Sequence, residues 1–376
     1  MRESQYIALS YCWGTSEMEW DIIINDSTFG LTDNLHSFLQ AVVAGSVPIS
    51  TALWVDAICI NQQDTKEKGL QVQSMWQVYE NAAEVISWIG EPQPLYETAF
   101  KFINDLGSQA KNVNASSVGK LMETNKLTKP ERNVIDAVIS LTENGYFQRM
   151  WIVQEMLNAK RVTLYAGPLS CSMNDLGILL SLLEEMKGEG AEMLDVAASA
   201  QEVMWEYMLM QSTDRTPGAD VNYAFSAAIG DTINRKCSDV RDKIYALAGL
   251  PSVRRLDLAA DLTPDYSISV EELYVRSLAY YETQFERQGE LPSAWVVRDS
   301  VQQIAGTLGI VPDSSAFRAW LRQTTTDNGQ AVRLSSGRQV DCSGIIMQDL
   351  VTNGPLTRSE EPEFYYRGIS GAWFQI

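Results

Sequence analysis

Short apolar runs alternate with amphipathic helical patterns in the N-terminal part of the chain, and this alternation is the strongest constraint on the fold. Residues 6–13, 53–60 and 84–90 are β-branched, aromatic or continuously apolar. Between them, residues 32–42 and 64–79 carry apolar side chains at helical spacing. A strand–helix–strand–helix–strand order is typical of a parallel sheet with crossover helices. The sequence therefore predicts an α/β fold whose strand at residues 53–60 is covered on both faces.

The pattern changes twice farther along the chain. The remainder of the first half predicts helices at residues 95–110, 130–142 and 147–159, and a strand at residues 161–165. Helical patterns dominate after about residue 171, including one at 196–210, and short β-like segments separated by glycine and polar turns follow residue 291. We expect three parts: a domain over residues 1–170, a mostly helical accessory region over 171–290, and a C-terminal α+β extension over 291–376 packed on the rest.

Charge and cysteine usage exclude several classes of function. The chain of 376 residues has a formal net charge of −19, from 29 basic and 48 acidic side chains. Because such a surface repels phosphate, no nucleic-acid partner is expected. The five cysteines form no Cys-x-x-Cys pair, which predicts reduced thiols rather than a zinc site or disulfide framework. No signal-peptide core or membrane-length apolar run occurs in the sequence, so we expect a cytoplasmic protein without a membrane span.

His36 is the single histidine of the chain, and this limits the available chemistry. A Ser-His or Cys-His nucleophile and a histidine-based metal site are excluded, and we expect no metal. Any catalysis must use carboxylates, hydroxyls, thiols, amides or aromatic rings. No Gly-x-Gly-x-x-Gly or Walker pattern occurs, so neither a dinucleotide-binding Rossmann site nor a P-loop is indicated.

Three motifs occur in this order: Ala8-Leu-Ser-Tyr-Cys-Trp-Gly14, Trp54-Val-Asp-Ala-Ile-Cys-Ile-Asn-Gln62 and Tyr146-Phe-Gln-Arg-Met-Trp-Ile-Val-Gln-Glu155. Together they resemble the fungal heterokaryon-incompatibility (HET) family. The resemblance covers residues 6–170 well and extends loosely to about residue 280 through Cys237-Ser-Asp-Val-Arg-Asp-Lys243. In that later segment, Arg241-Asp242-Lys243 is interpreted as a helix-surface or interdomain salt-bridge network. The HET family is itself remotely similar to TIR domains, which implies a TIR/flavodoxin-like core.

The resemblance also implies a function. HET proteins trigger programmed cell death when incompatible fungal cells fuse, and some TIR domains cleave the nicotinamide–ribose bond of NAD⁺ with one glutamate. The chain is therefore expected to act in fungal immunity as an NAD⁺ hydrolase (NADase), with NAD⁺ or a related nucleotide as substrate and no cofactor. The alternative is a non-enzymatic death-signalling adaptor that acts through oligomeric assembly. In both cases we expect self-association or a partner sensor protein.

The candidate catalytic residues are Glu155, Asp56 and Arg149. An oxocarbenium-like transition state needs a carboxylate, and Glu155 lies one helical turn after Trp151, whose ring would shield it. Arg149 is suited to contact a phosphate or to orient a carboxylate. Asp56 interrupts an apolar run, where an unpaired charge is unfavourable unless it has a role. Structural alternatives remain open: Glu155 pairing with Arg149 or Lys160, and Asp56 capping a helix or pairing with Arg149.

Open α/β sheets bind ligands at the carboxyl ends of their strands, so the residues there are expected to line the pocket. Tyr11 and Trp13 are suited to stack on a base or on nicotinamide, or alternatively to pack beneath a loop. Asn61 and Gln62 are suited to contact ribose or amide groups. A nucleophilic role for Cys59 is disfavoured, because no histidine is available to activate it. The predicted substrate-binding residues are Ser10, Tyr11, Trp13, Gly14, Cys59, Asn61, Gln62 and Trp151.

Overall fold

The structure, a computed structural model, divides the chain into two compact units. The described residues are 5–14, 18–113, 130–188, 200, 225–250, 253, 262–288, 302–311, 314, 317, 319, 320, 323, 331–333, 339–341, 365–367 and 373–375. The first unit comprises Met1–Ala219 and Asn234–Lys236, and the second comprises Asp220–Ile233 and Cys237–Ile376. The three-part division expected from the sequence stays a prediction.

A five-stranded sheet forms the centre of the first unit. The strands of this unit are β1 (Tyr6–Tyr11), β2 (Trp20–Ile24), β3 (Ser27–Leu31), β4 (Ala52–Trp54), β5 (Glu84–Trp88), β6 (Val162–Ala166) and β7 (Leu169–Ser172). The sheet order is β4-β1-β5-β6-β7, while β2 and β3 form a separate hairpin. Strands β4, β1, β5 and β6 pair in parallel, and β7 pairs antiparallel with β6. The predicted α/β class with a parallel sheet is confirmed.

Helices flank this sheet. They are α1 (Asp33–Val43), α2 (Asp56–Cys59), α3 (Thr65–Asn81), α4 (Tyr96–Val113), α5 (Arg132–Thr142), α6 (Ile152–Leu157) and α7 (Met173–Gly188), with a 3₁₀ helix at Gly145–Gln148. Helix α3 starts where the Asp64 side chain accepts the N–H groups of Lys66 and Glu67, which satisfies donors that have no partner within the helix. The helical spacing in the sequence therefore places α1, α3, α4 and α5 close to their observed bounds.

The two faces of β1 differ in chemistry. Ile7, Leu9 and Tyr11 pack in an apolar cluster with Leu35 and Phe38 of α1. Because side chains alternate along a strand, Ser10 belongs to the other face. This polar side chain is nevertheless buried, so the second face carries a buried hydroxyl that needs hydrogen-bond partners.

The expected strand at residues 53–60 is wrong in its extent. Strand β4 ends at Trp54 and lies at the edge of the sheet, and the short helix α2 follows it. The carbonyl of Val55 accepts the N–H groups of Ile58 and Cys59, while the Asp56 carboxylate accepts the N–H of Ala57. An aspartate that bonds locally in this way favours a helix start over a strand.

The expected helix at residues 147–159 is interrupted. The 3₁₀ helix ends at Gln148, Arg149 has an extended backbone, and α6 begins only at Ile152. The interruption has an identifiable cause, because Arg149 forms a parallel bridge with Lys236. The main-chain bonds of this bridge take the place of helical ones.

The described part of the second unit includes the helices α8 (Phe225–Thr232), α9 (Asp242–Ala248) and α10 (Val270–Gln288), a helical segment at residues 302–308, and two small hairpins. The hairpins consist of β8 (Ala331–Arg333) with β9 (Gln339–Asp341), and β10 (Tyr365–Arg367) with β11 (Trp373–Gln375). Of the helix expected at residues 196–210, the structure describes only Ala200, which is helical and buried, and the rest lies outside the described residues. Among the helices that the structure does describe, none is long and apolar enough to cross a membrane.

Candidate functional site

The register of the sheet brings two buried serines together on β1 and β5. Ser10 and Ser87 are direct partners in the parallel pairing of these strands. The hydroxyl of Tyr146, from the 3₁₀ helix, lies 2.7 Å from Ser87 Oγ and 2.8 Å from Ser10 Oγ. The Ser10 hydroxyl in turn contacts Oε2 of Glu155 in α6. We call Ser87, Tyr146 and Ser10 the hydroxyl chain, and Glu155 stands at its end.

Proton counting links the hydroxyl chain to the charge of Glu155. Each hydroxyl has one proton to donate. The Tyr146 hydroxyl donates to Ser87, so when Glu155 is ionised, Ser10 donates to the carboxylate and no proton remains for the Ser10–Tyr146 contact. If Glu155 is protonated, it donates to Ser10, Ser10 donates to Tyr146, and Tyr146 donates to Ser87, so every contact is satisfied. The hydroxyl chain therefore favours the protonated form of Glu155.

Arg149 provides the positive charge beside this carboxylate. Its Nη1 lies 3.4 Å from Glu155 Oε2, and the Glu155 side chain is only 1% exposed. Burial raises the pKa of Glu155, and the Arg149 charge and the Ser10 hydrogen bond oppose this only in part. Burial also lowers the pKa of Arg149, but Glu155, Cys12 and Asp56 raise it above its ordinary value. The guanidinium thus remains charged while the carboxyl is biased towards its neutral form.

A second buried carboxylate, that of Asp56, faces the same arginine. Trp13 donates its indole N–H to Asp56 Oδ2 over 3.0 Å, and the Ala57 N–H donates to Oδ1 over 2.7 Å. Burial raises the pKa of Asp56, although Arg149, Trp13, Ala57 and Tyr11 all lower it. The Asp56 charge also acts to raise the pKa of Glu155. Two buried acids and one arginine therefore form a coupled group, which we call the acid–arginine cluster (Asp56, Arg149, Glu155).

Comparison with known proteins gives the cluster a family context. The profile of the family described as "Heterokaryon incompatibility protein (HET)" matches residues 6–155. We call residues 6–155, which match this profile, the HET domain. The cluster and its hydroxyl chain lie entirely within this domain, and Glu155 is the last residue of the match.

A curated relative of the HET domain comes from Neurospora crassa. It is "Heterokaryon incompatibility protein 6, OR allele", which is 28% identical over 40% of this chain and 27% of its own length. The match thus spans about a quarter of the relative. No solved structure matches the chain significantly.

The HET domain brings many of the predicted site residues together. Ser10, Tyr11, Trp13 and the acid–arginine cluster are linked by the hydrogen bonds and electrostatic interactions described above. Gln62 donates its side-chain N–H to the main-chain oxygen of Asp56 over 3.2 Å. Trp151 precedes α6, and its carbonyl accepts the N–H of Glu155 over 3.1 Å. The expected one-turn spacing between Trp151 and Glu155 therefore persists despite the interrupted helix.

Other predicted pocket residues have contacts of a different kind. The Asn61 side-chain oxygen accepts the main-chain N–H of Gln63, and the main-chain N–H of Asn61 donates to the Glu67 carboxylate. These described contacts shape the turn before α3. Cys59 is exposed at the end of α2. Gly14 has a φ of +77°, a conformation that L side chains rarely adopt and that lets the chain turn directly after Trp13. Any substrate contact by these three residues stays a prediction.

Ser87 and Tyr146 were not predicted as site residues. Ser87 has a visible signal, since it is the single hydroxyl residue in the apolar strand Glu84–Trp88. Tyr146 opens the third sequence motif but carries no pattern that distinguishes it from a core aromatic. Among the described residues, no group of three or more His, Cys, Asp or Glu side chains could hold a metal ion.

Proposed function

We propose that this chain is an effector of fungal incompatibility whose HET domain cleaves the nicotinamide–ribose bond of NAD⁺. The observation that carries the proposal is the acid–arginine cluster, in which two buried carboxylates with raised pKa values share one arginine. Such a group is costly to bury, and acids with strongly perturbed pKa values are concentrated at functional sites. The incompatibility role is supported by the family match and by the name of the Neurospora relative.

The chemistry requires no histidine and no cofactor. The bond between ribose C1′ and the nicotinamide nitrogen breaks, and both electrons leave with neutral nicotinamide. Glu155, in its ionised form, stabilises the positive charge that develops on the ribose, as carboxylates do in glycoside hydrolysis. Water then adds to C1′ and loses a proton to Glu155 or to solvent, which gives ADP-ribose. The similarity of HET to TIR domains supports the choice of NAD⁺ among nucleotides.

The remaining cluster residues have roles that follow from their positions. Arg149 keeps a fraction of Glu155 ionised against the effect of burial. Trp13 is 36% exposed and is anchored to Asp56, so its ring is suited to stack on nicotinamide where solvent reaches the cluster. We assign to Asp56 the role of accepting hydrogen bonds from the ribose hydroxyls. Because Glu155 lies deeper than Trp13, the substrate enters from the Trp13 side.

Nicotinamide release from NAD⁺ by the purified full chain tests the proposal. The assay compares the wild type with Glu155→Gln, both in dilute solution and at concentrations that promote self-association. We expect Glu155→Gln to reduce release by at least about 100-fold, since a carboxylate that stabilises a developing charge typically contributes several kcal/mol. Glu84→Gln is the matched control, because Glu84 also pairs with an arginine of the first unit, Arg161, but lies outside the cluster.

The same variants in a fungal cell-death assay separate enzyme from adaptor. The enzyme proposal requires that Glu155→Gln loses both nicotinamide release and killing while Glu84→Gln keeps both. Absence of release from the wild type under all conditions, together with killing by Glu155→Gln, would contradict it.

A non-enzymatic adaptor is the second candidate, and the hairpin β2–β3 favours it. This hairpin lies outside the main sheet and exposes large apolar side chains: Ile23 is 77% exposed, Trp20 45% and Phe29 37%. Exposed apolar side chains grouped in this way are typical of interaction surfaces. If the chain is an adaptor, replacement of Ile23 and Phe29 by serine should abolish killing, and neither the wild type nor this variant should release nicotinamide.

A further inference from the structure

A three-residue segment from far along the chain is bound directly to the backbone around Arg149. The segment is Asn234–Lys236, which belongs to the first unit although the residues before and after it belong to the second. We call it the strap. Its Lys236 N–H donates to the carbonyl of Gln148 over 2.6 Å, and its Lys236 carbonyl accepts the N–H of Met150 over 2.9 Å. The strap therefore holds the residue on each side of Arg149.

Arg235, the middle residue of the strap, adds a third bond at the same place. Its Nη1 donates to the carbonyl of Phe147 over 2.7 Å, and the whole residue is 2% exposed. Burial of a guanidinium costs free energy unless its charge is paired and its N–H groups are hydrogen-bonded. The bond spans 88 positions of sequence, so local structure alone does not create it. Three bonds from the strap thus fix the main chain over Phe147–Met150.

The fixed segment determines where the Arg149 side chain projects. Arg149 lies between the 3₁₀ helix and α6 with an extended backbone, φ −71° and ψ 140°. A continuous helix through this position would project the side chain in a different direction relative to Glu155. The main-chain bonds to Lys236 prevent that helix, and the 3.4 Å contact between Arg149 and Glu155 depends on the resulting geometry.

We propose that the strap is a positioning element for the acid–arginine cluster and that Arg235 is its principal positioning residue. Arg235 acts through the backbone of Phe147–Met150 and not by contact with a substrate. By holding Arg149 against Glu155, the strap sets the fraction of Glu155 that is ionised. Its catalytic consequence rests on the proposed NAD⁺ cleavage, but the positioning itself does not.

The proposal is tested by titration of Glu155 in the full chain with infrared difference spectroscopy. The carbonyl band of protonated Glu155 is identified as the band that is missing in Glu155→Gln. Since Arg149 lowers the pKa of Glu155, a displaced Arg149 must let the protonated band persist to higher pH. We expect Arg235→Met to shift the midpoint upward by about one pH unit, a tenfold change in the protonation equilibrium. Arg235→Lys, which keeps a donor and a charge, should restore part of the shift.

A matched control and a second variant make the test decisive. Arg161→Met removes an exposed arginine of the first unit that pairs with Glu84, and it should leave the midpoint unchanged. If Arg235→Met does not fold, Lys236→Pro removes both the lysine side chain and the N–H that donates to Gln148, and it is compared with Lys236→Ala, which removes the side chain but keeps that N–H. An upward shift in the proline variant alone supports the proposal.

The outcomes separate this proposal from the proposed function. An unchanged Glu155 midpoint in folded Arg235→Met or Lys236→Pro overturns the positioning role, whatever the enzymatic activity. A shifted midpoint in a chain that releases no nicotinamide keeps the strap and rejects NAD⁺ cleavage. A shifted midpoint together with a nicotinamide-release profile shifted in the same direction supports both.

Discussion

Two arginines, one in each unit, lie among carboxylates and tyrosines but are held in opposite ways. Arg149 makes one described contact to a carboxylate, at 3.4 Å, and its neighbours Glu155 and Asp56 are both buried. Arg241 instead makes a bidentate contact with Asp239, at 2.9 and 2.6 Å, and donates to the main-chain oxygens of Tyr266 and Ile268. Most N–H groups of the Arg241 guanidinium thus donate short hydrogen bonds, whereas the described carboxylate contact of Arg149 is long.

The pKa shifts of the carboxyl groups near the two arginines also differ in sign. In the first unit, burial raises the pKa values of Glu155 and Asp56 in spite of Arg149. In the second unit, hydrogen bonds from Ser267 lower the pKa of Asp265, and Arg276 and Arg241 contribute in the same direction. Arg241 also stacks on the Tyr266 ring, with 5.4 Å between its Cζ and the ring centroid. Arg241 is therefore the centre of a structural clamp, whereas the acid–arginine cluster retains unfavourable electrostatics of the kind found at functional sites.

Removal of either arginine should give the largest change in the free energy of unfolding. Arg149→Met leaves two buried carboxylates without their cation, which should destabilise the first unit by about 3–5 kcal/mol at neutral pH. Arg241→Met loses charge-assisted hydrogen bonds at a more exposed place and should cost about 1.5–3 kcal/mol. Urea unfolding followed by hydrogen exchange of peptides from each unit measures both values. A larger cost for Arg241→Met would reverse the comparison.

Charge removal at the acids should give opposite dependences on pH. Because the pKa of Glu155 is raised in the folded state, ionisation of this group lowers the free energy of unfolding. This loss is absent below the pKa of an unfolded glutamate and develops as the pH rises through the folded-state pKa. Glu155→Gln should therefore stabilise the first unit at neutral pH, and the gain should vanish in acid. Asp265 has a lowered pKa, so its favourable contribution is present above the unfolded pKa and is lost as pH falls through the folded value.

The measurement is the unfolding free energy of Glu155→Gln and Asp265→Asn as a function of pH, each relative to the wild type. Asp265→Asn should be destabilising at neutral pH and neutral in strong acid. The same sign for both variants at neutral pH would mean that the two acids have equivalent environments, contrary to the comparison.

The sequence predicts the framework of the HET domain better than the geometry of its site. The apolar runs around β1, β5 and β6 correspond to real strands because buried parallel strands have a simple composition. Residues 53–60 were misassigned because an apolar run alone does not separate a strand from a buried helix. Asp56, the polar residue in that run, marks the point where the strand prediction fails and the site begins.

The strap could not be predicted from sequence. Residues 234–236 carry no periodicity that points to Arg149, and their contact with Phe147–Met150 is a long-range tertiary one. Without it, the helical pattern at residues 147–159 predicts an unbroken helix. The grouping of Ser10 with Glu155 could be anticipated from strand ends, but Tyr146 as the bridge between Ser10 and Ser87 required the register of β1 and β5.

The smallest expected effect comes from two tyrosines, and it tests whether the hydroxyl chain is coupled to Glu155. Tyr266→Phe removes one hydrogen bond, 2.7 Å to Asp242 Oδ1, and keeps the ring beneath Arg241, so it should cost about 1 kcal/mol. Tyr146→Phe should have a similar cost, because it leaves Ser10 and Ser87 with one partner fewer. The difference lies in the Glu155 titration. Only Tyr146→Phe removes the acceptor that Ser10 needs when protonated Glu155 donates to it, so only this variant should move the infrared midpoint downward. If neither variant moves the midpoint, the hydroxyl chain is not coupled to the charge of Glu155.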